Sequence, residues 1–487
     1  MNARRISLLA ALLAAPLAAG AADDADLRAL RDEVARLRTA YEQRIDALEK
    51  RLVQAESKAA AAEGSAAKAE SAAAVVAARP AAPAGASAFN PEISLILAGT
   101  YTRLSQDPAS YQTTPDARNY HIHGFVPSLG EIAPPRRGFG LGESELSLAA
   151  NIDPNWRGRF TAAIPSEGGG AEVEEAFIQS LGLGNGLSFK AGRFLSGIGY
   201  MNEQHAHTWD FADAPLAYKA FLANQLRGDG VQLKWLAPTD LFVELGAEAA
   251  GGGAFPSTDR NKNGATLGTL FARVGDDAGV SHSWRAGLSA VATSPRNRAW
   301  NDVDRSGTTV ENRYSGSSRL LIADFVWKWA PNGNARERSF TFQGEAFRRR
   351  ERGDLTYNAG DATGAFAATQ TGSYASAQSG WYAQGVYKFR PHWRVGYRYD
   401  RLDAGNTDIG LVNGGALAAA DFPLLSAHQP KRHSLMIDYQ TSEFARFRLQ
   451  FARDDSRYDF ANGRPIRDNQ VWLQYVVSLG AHGAHKY

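Results

Sequence analysis

One stretch late in the chain reads Trp393-Arg394-Val395-Gly396-Tyr397-Arg398-Tyr399-Asp400. Its apolar side chains occupy alternate positions, and charged residues or glycine stand between them. Because successive side chains of a β-strand point to opposite faces, this stretch predicts a strand with one apolar and one polar face. The same period of two recurs at 445–452 and 469–479.

The region from residue 89 onward contains 16 such stretches, most about ten residues long, the length that a tilted strand needs to cross a bilayer. They begin near Glu92, Leu141, Trp156, Glu172, Leu187, Asp229, Asp240, Leu267, Ser283, Ser317, Arg338, Ser379, Trp393, Lys431, Phe444 and Asp468. Short turns alternate with long polar loops along the chain, as in an outer-membrane barrel, whereas a soluble sandwich has no reason to segregate loop lengths. We therefore predict an all-β fold, a 16-stranded antiparallel transmembrane β-barrel over residues 89–487, preceded by a short periplasmic coiled-coil helix.

The N-terminal region predicts three further segments. Residues 1–21 have the basic, apolar and small-residue regions of a secretory signal peptide, with an uncleaved anchor as the alternative. Residues 22–56 carry one narrow apolar stripe, which predicts a coiled-coil oligomerisation helix, although a lone charged helix would share the composition. The stripe consists of Leu27, Leu30, Val34, Leu37, Tyr41, Ile45, Leu48 and Leu52. Residues 57–88 are rich in Ala and Pro and predict a flexible tether.

Composition excludes several functions. The 487 residues include no cysteine, so disulfides, thiol nucleophiles and cysteinate metal sites are excluded. A formal net charge of +2 gives no electrostatic reason to expect a nucleic-acid partner. Nucleophile elbows, zinc-protease motifs and phosphate-binding loops are absent from the sequence, so we predict no enzyme, no catalytic residues and no cofactor.

The polar faces of the predicted strands should line the lumen. The cationic members of this predicted pore lining are Arg157, Arg159, Lys190, Lys388, Arg394, Arg398, Arg446 and Arg448. Four of these arginines lie on the thirteenth and fifteenth strands near the periplasmic end, where neighbouring cations would attract anions. The alternative is that they are ordinary lumen charges paired with nearby acids.

A coiled coil, a tether and a 16-stranded barrel together resemble the phosphate-selective porin (O and P) family, whose trimers form anion-selective pores. The C-terminal segment Ser478-Leu479-Gly480-Ala481-His482-Gly483-Ala484-His485-Lys486-Tyr487 also resembles plugless proteobacterial outer-membrane proteins often labelled TonB-dependent receptors. The first resemblance implies a homotrimer in the outer membrane, in contact with its lipid and lipopolysaccharide.

The long connection 196–228 would be the third extracellular loop, and in general porins, which the predicted barrel resembles, that loop folds inward and narrows the pore. We expect His205, His207, Asp210 and Asp213 to lie on this constriction loop. Its histidines form a His-x-His pair, as do His121 and His123, and in extended backbone such a pair could supply two ligands to a metal ion. The sequence places no further ligand, so we favour hydrogen-bonding histidines and predict no metal site; His482 and His485 form a third, similar pair.

These observations favour one function. We expect an outer-membrane porin that allows passive diffusion of small hydrophilic solutes with weak anion preference. The alternative is a substrate-specific channel for metal ions or metal complexes, which would use the histidine pairs.

Overall fold

The computed structural model describes residues 91–108, 121–126, 132–164, 170–253, 255–360, 364, 368–459 and 464–480, together with Thr39. The chain divides into two compact units, Met1–Ala88 and Phe89–Tyr487. The predicted signal peptide, coiled coil and tether lie outside the described residues, except for Thr39. Within the described ranges, no helix is both long and apolar enough to cross a bilayer.

The described part of the second unit forms one antiparallel sheet with two short helices, α1 (Leu216–Leu222) and α2 (Gly410–Asn413). Its strands are β1 (Glu92–Leu104), β2 (Gly138–Leu141), β3 (Ser144–Asp153), β4 (Trp156–Ile164), β5 (Glu172–Ser180), β6 (Leu187–Leu195), β7 (Arg227–Leu236), β8 (Phe242–Ala250), β9 (Leu267–Asp277), β10 (His282–Thr293), β11 (Arg298–Val303), β12 (Thr309–Trp329), β13 (Ser339–Tyr357), β14 (Gln370–Arg390), β15 (Trp393–Asp403), β16 (Thr407–Ile409), β17 (Lys431–Ser442), β18 (Ala445–Asp459) and β19 (Arg464–Gly480).

The sheet closes on itself, because β1 pairs with β19 from Ser94↔Gly480 to Leu104↔Gln470. Strands β2 and β3 pair with successive parts of β1 and together make one interrupted wall strand. Strands β11 and β16 only extend the long-loop end, so 16 strands complete the circuit. The predicted 16-stranded antiparallel barrel is therefore confirmed. Closure pairs the backbone groups that an open sheet would leave exposed at its edges.

Strand β15 shows how the sequence sets the two faces of the wall. Tyr397 is 48% exposed on the outside, whereas Arg398, the next residue, is 1% exposed and points inward. Large apolar side chains stand on the outer surface of many other strands, among them Leu270, Leu288, Leu321, Leu435, Leu449 and Leu473. Such a band suits contact with lipid.

Strands β12, β13 and β14 extend further toward the long-loop end than the sequence pattern predicts, and they are 21, 19 and 21 residues long. On β13, Arg348 and Arg350 are exposed and Arg349 is buried, so both faces are polar there. A strand segment with two polar faces lacks the alternation of apolar and polar residues by which strands were predicted. The fifth loop, between β10 and β12, and the sixth loop, between β13 and β14, are therefore shorter than predicted.

The third loop (196–226), the seventh loop (404–430) and the described residues 121–126 of the first loop pack together inside the long-loop half of the barrel. Their apolar residues form a buried cluster around α1, in which the Phe125 and Phe221 rings meet edge to face at 5.6 Å. The Gly124 N–H donates to the Leu424 carbonyl at 2.8 Å. Gly124 has a φ of +77°, and a Cβ there would come within 2.5 Å of Ala404, so only glycine fits this contact.

Candidate functional site in the lumen

A cavity of about 470 Å³, here called the vestibule, lies inside the short-turn end of the barrel. Strands β1, β3 and β4 and the β17–β18 turn form its sides, and the third loop forms its roof. Its charged and imidazole side chains are Glu92, Glu145, Arg159, Glu175, Glu203, His205, His207, Asp210, Lys328, Arg394, Glu443 and Arg446. Part of the sequence-predicted pore lining and constriction loop therefore meets in one space, namely Arg159, Arg394, Arg446, His205, His207 and Asp210.

The third loop is anchored to several strands of the wall. The Arg273 guanidinium of β9 contacts Glu203 of the loop at 3.2 Å. The Tyr218 hydroxyl donates to Glu345 of β13 at 2.9 Å, and the Leu216 N–H donates to Asp400 of β15 at 2.9 Å. The wall therefore fixes the loop at more than one place.

Arginines of β15, β17 and β18 hold the loop from below and beside it. Arg394 donates to Asp210 at 2.8 Å and also contacts Asp438, while Arg448 donates to Asp438 at 2.8 Å and to the Trp209 carbonyl at 2.9 Å. The Arg448 side chain is 1% exposed. The loop covers it, so Arg448 positions the loop and does not face open solvent.

A second group of cationic side chains surrounds Asp213. This carboxylate contacts Arg398 at 3.1 Å, Lys219 at 3.1 Å and Arg432. Burial opposes ionisation of Asp213, but Arg432, Lys219 and Arg398 outweigh it and hold the pKa of Asp213 far below its usual value. The Arg398 and Arg432 side chains are each 1% exposed, so this group acts as a buried clamp.

The histidines of the loop meet carboxylates of β3 and β5. His205 Nδ1 lies 3.1 Å from Glu174 Oε2 and 3.2 Å from Glu145 Oε2, and its Nε2 lies 3.0 Å from Glu175 Oε2. His207 Nδ1 lies 2.7 Å from Glu145 Oε1. These five residues, here called the seam, join the roof of the vestibule to the β3–β5 wall.

The seam depends on an irregularity in β5. Adjacent strand residues normally face opposite sides, yet Glu174 and Glu175 are both buried and both reach His205. The register shifts at this point, since Thr161 pairs with Glu175 but Ala162 pairs with Val173. Glu174 is therefore the extra residue of a β-bulge, which turns a second carboxylate into the lumen.

The remaining predicted lining residues occupy different environments. Arg157 pairs with Glu92 at the rim, and Lys388 donates to the Ala335 carbonyl at 3.2 Å near the short turns. Lys190 is buried, with its ammonium 4.6 Å from the Phe177 ring centroid. Arg446 donates to the His207 carbonyl at 2.8 Å, while Arg159 lines the vestibule.

The first-loop pair lies elsewhere, in a cluster with His428 of the seventh loop. His123 and His428 both contact the Tyr458 ring, at centroid distances of 6.1 and 5.1 Å. Burial, with help from the neighbouring His428 and His121, lowers the pKa of His123 to about 3. His482 and His485 lie outside the described residues.

Sequence reasoning missed Glu174, Glu175, Arg432 and His428. Arg432 could have been predicted, because it has the same parity on β17 as Asp438, which also contacts side chains in the lumen. Glu174 could not, because the bulge that reorients it leaves no mark in a period-two pattern. His428 comes near the first loop only through the packing of two long loops.

Comparison with known proteins gives distant likenesses. No family model matches the chain, so its membership in either family named above stays a prediction. A curated relative from Aquifex aeolicus (strain VF5), described as an uncharacterized protein, is 28% identical over 426 residues, which are 83% of this chain and 81% of the relative. Solved structures with similar architecture include OmpT of Vibrio cholerae (10% identity, TM-score 0.45, covering 80% of this chain and 99% of that one). Others are the channel DcaP of Acinetobacter baumannii (12%, 0.45, covering 80% and 97%) and an anion-selective porin from Comamonas acidovorans (10%, 0.44, covering 80% and 99%). At these scores the likeness does not identify a function.

Proposed function

We propose that the protein is an outer-membrane porin that lets small hydrophilic solutes cross by passive diffusion. The observation that carries this proposal is a closed wall with an apolar outer face and a vestibule lined by ionised side chains. The outer face suits lipid and lipopolysaccharide, and the inner face suits water and polar solutes. The roof formed by the third loop would set the size limit.

The proposal includes a weak anion preference. Two of the lining acids are neutralised, since Glu203 pairs with Arg273 and Asp210 pairs with Arg394. In contrast, the Nε atoms of Arg159 and Arg446 are buried with no hydrogen-bond partner among the described residues. Guanidinium groups placed at a narrow aqueous space favour anions, because the low-dielectric wall weakens screening.

We further propose a homotrimer, with the N-terminal coiled coil in the periplasm. Its support is the apolar stripe of residues 22–56, which a single helix could not bury. Deleting residues 22–56 should leave barrel insertion intact and reduce the yield of cross-linked trimer. An unchanged yield would assign trimer contacts to the barrel wall.

The decisive experiment is conductance in planar bilayers under a salt gradient. The parent should form ohmic pores whose reversal potential has the sign of weak anion preference. Arg159→Gln with Arg446→Gln should shift the reversal potential toward cations, whereas Arg157→Gln, at the rim, should shift it less. Absence of pores would contradict the porin assignment, and an equal shift in both variants would contradict the role of the vestibule arginines.

The alternative, a channel for metal ions or metal complexes, rested on the histidine pairs. One of these pairs lies in the seam, at the wall of the lumen. Such a cluster of side chains could bind a metal ion at one place, but it gives no reason to expect that the channel transports metal ions.

A further inference from the structure

His205 is held in a fixed orientation by a carboxylate on each side of its ring. Glu175 Oε2 lies 3.0 Å from Nε2, and Glu175 Oε1 also accepts the Leu195 N–H at 3.3 Å, which fixes this carboxylate in turn. A hydrogen bond from Nε2–H to Glu175 selects the tautomer whose lone pair is on Nδ1. Histidines that bind metals are oriented in this way, by a carboxylate on the nitrogen that does not bind.

The free side of the ring faces two more carboxylates. Nδ1 lies 3.1 Å from Glu174 Oε2 and 3.2 Å from Glu145 Oε2, and a ligand atom from each of the three residues lies within 4.8 Å of the others. Zinc binds nitrogen and oxygen ligands at about 2.0–2.2 Å, so tetrahedral ligand atoms are roughly 3.4 Å apart. The spacing around His205 Nδ1 already approaches that geometry.

His207 lies beside this group and shares Glu145 with it. Its ring stacks on His205 with centroids 5.9 Å apart, and its Nδ1 lies 2.7 Å from the other oxygen of Glu145. Glu145 therefore joins both imidazoles through its two oxygens, and its side chain is 1% exposed. The bulge at Glu174 is what brings the third carboxylate in, and bulges of this kind often reorient side chains at functional sites.

The cluster is also accessible. Glu145, Glu175, His205 and His207 all line the vestibule, so an ion in the aqueous space can reach them without unfolding the loop. By contrast, the carboxylates that contact Arg398 and Arg448 are enclosed in the arginine clamps, where guanidinium groups occupy the positions that a cation would take.

We propose that the seam is a binding site for a divalent transition-metal ion of the Zn²⁺ class, with His205 Nδ1, Glu145 and Glu174 as ligands and water from the vestibule in the fourth position. Glu175 orients His205 and is a positioning residue. The ion would hold the third loop against β3 and β5. This site is independent of the proposed porin function, since it requires binding and no transport.

A proton competes for the same position. Burial opposes protonation of His205, but Glu145, Glu174 and Glu175 outweigh it and hold the pKa of His205 well above its usual value.

The test uses Co²⁺ as a visible probe and Zn²⁺ as its competitor, added to the full chain in detergent without an appended histidine tag. We expect one tetrahedral Co²⁺ per chain, seen as d–d absorption and displaced by Zn²⁺. His205→Ala and Glu174→Gln should lose the band, and Glu175→Gln should weaken binding about 10- to 100-fold. The matched control is His121→Ala with His123→Ala, which removes the other pair and should bind as the parent does.

Each result decides the proposal. No tetrahedral band in a parent that shows heat-modifiable gel migration would mean that the seam holds only a proton. An equal band in parent and His205→Ala would place the ion elsewhere, and loss in the first-loop control alone would assign it to His121 and His123. Because absorption in detergent does not depend on conductance, failure here leaves the porin proposal untouched.

Discussion

The two described His-x-His pairs share a sequence pattern and have opposite electrostatic surroundings. In the third loop, carboxylates of β3 and β5 hold the pKa of His205 well above its usual value, against the effect of burial. In the first loop, burial and the neighbouring His428 and His121 lower the pKa of His123 to about 3. The surroundings of His205 therefore favour its charged form, and those of His123 favour the neutral form. The spacing of a motif fixes which side chains share a face, while the facing elements decide their chemistry.

The largest expected difference between the pairs appears on acidification. Because the pKa of His123 lies near 3 in the docked loop and near 6.5 in an undocked one, the undocked loop binds more protons below about pH 6.5. Docking of the first loop should thus weaken by roughly 1.4 kcal/mol for each pH unit between about 6 and 3. The protection factors of the Gly124 and Phe125 amides, which are corrected for the pH dependence of intrinsic exchange, should fall accordingly.

The control for this prediction is His123→Gln, which removes the titrating group and should flatten the pH dependence. The Leu226 amide, which donates to Asn202 in the third loop at 2.7 Å, should stay protected over the same range. An equal loss of protection at Leu226 would indicate that the first and third loops undock together. The proposed difference between the two loops would then be wrong.

A mutation at Glu145 should weaken docking of the third loop but not of the first, and the change should be smaller than the effect of acid on the first loop. Glu145→Gln keeps the size of the side chain but removes the charge that faces both His205 and His207. We expect the third loop to lose about 1–3 kcal/mol of docking free energy, since hydrogen bonds to charged groups contribute in that range. Limited proteolysis of the third loop in the folded barrel would measure the change.

The first loop supplies the comparison for Glu145→Gln, because its protection should not change. If proteolysis of the third loop were also unchanged, the arginine clamps at Asp210 and Asp213 would carry the docking without help from the seam.

The smallest effect is expected on the alkaline side. Since the pKa of His205 is raised in the docked loop, its contribution is complete below about pH 6.5 and is lost as pH rises through the raised pKa. The protection factor of the Thr208 amide, which donates to the His205 carbonyl at 2.9 Å, should therefore fall slightly as the pH is raised from 7 to 9, while the protection factor of Gly124 should not change. A larger loss of protection at Gly124 than at Thr208 would contradict the assignment of the raised pKa to His205 and of the lowered pKa to His123.

Much of the wall could be predicted from the sequence, and less of the lumen. Alternation located β15 because Tyr397 faces outward and Arg398 inward, a difference that a single strand already encodes. Alternation failed near Arg349, where both faces of β13 are polar. The seam was beyond reach because it needs a bulge at Glu174 and a loop that returns from β6 to β3. Such contacts join residues far apart in sequence, and no local pattern records them.

Closure of the wall has a consequence for how the chain folds. The ladder between β1 and β19 ends at Leu104↔Gln470, and just beyond it the Ser105 hydroxyl donates to Asp468, 363 positions further along the chain. Every other wall ladder joins consecutive wall strands and can zip up from a connection already made. The ladder between β1 and β19 has no short connection from which to start. Its two strand edges must therefore find each other in one step, at the full entropic cost of closing the ring. Until then both edges remain open to pairing with other chains, so the slowest step of folding is also the step most exposed to misassembly.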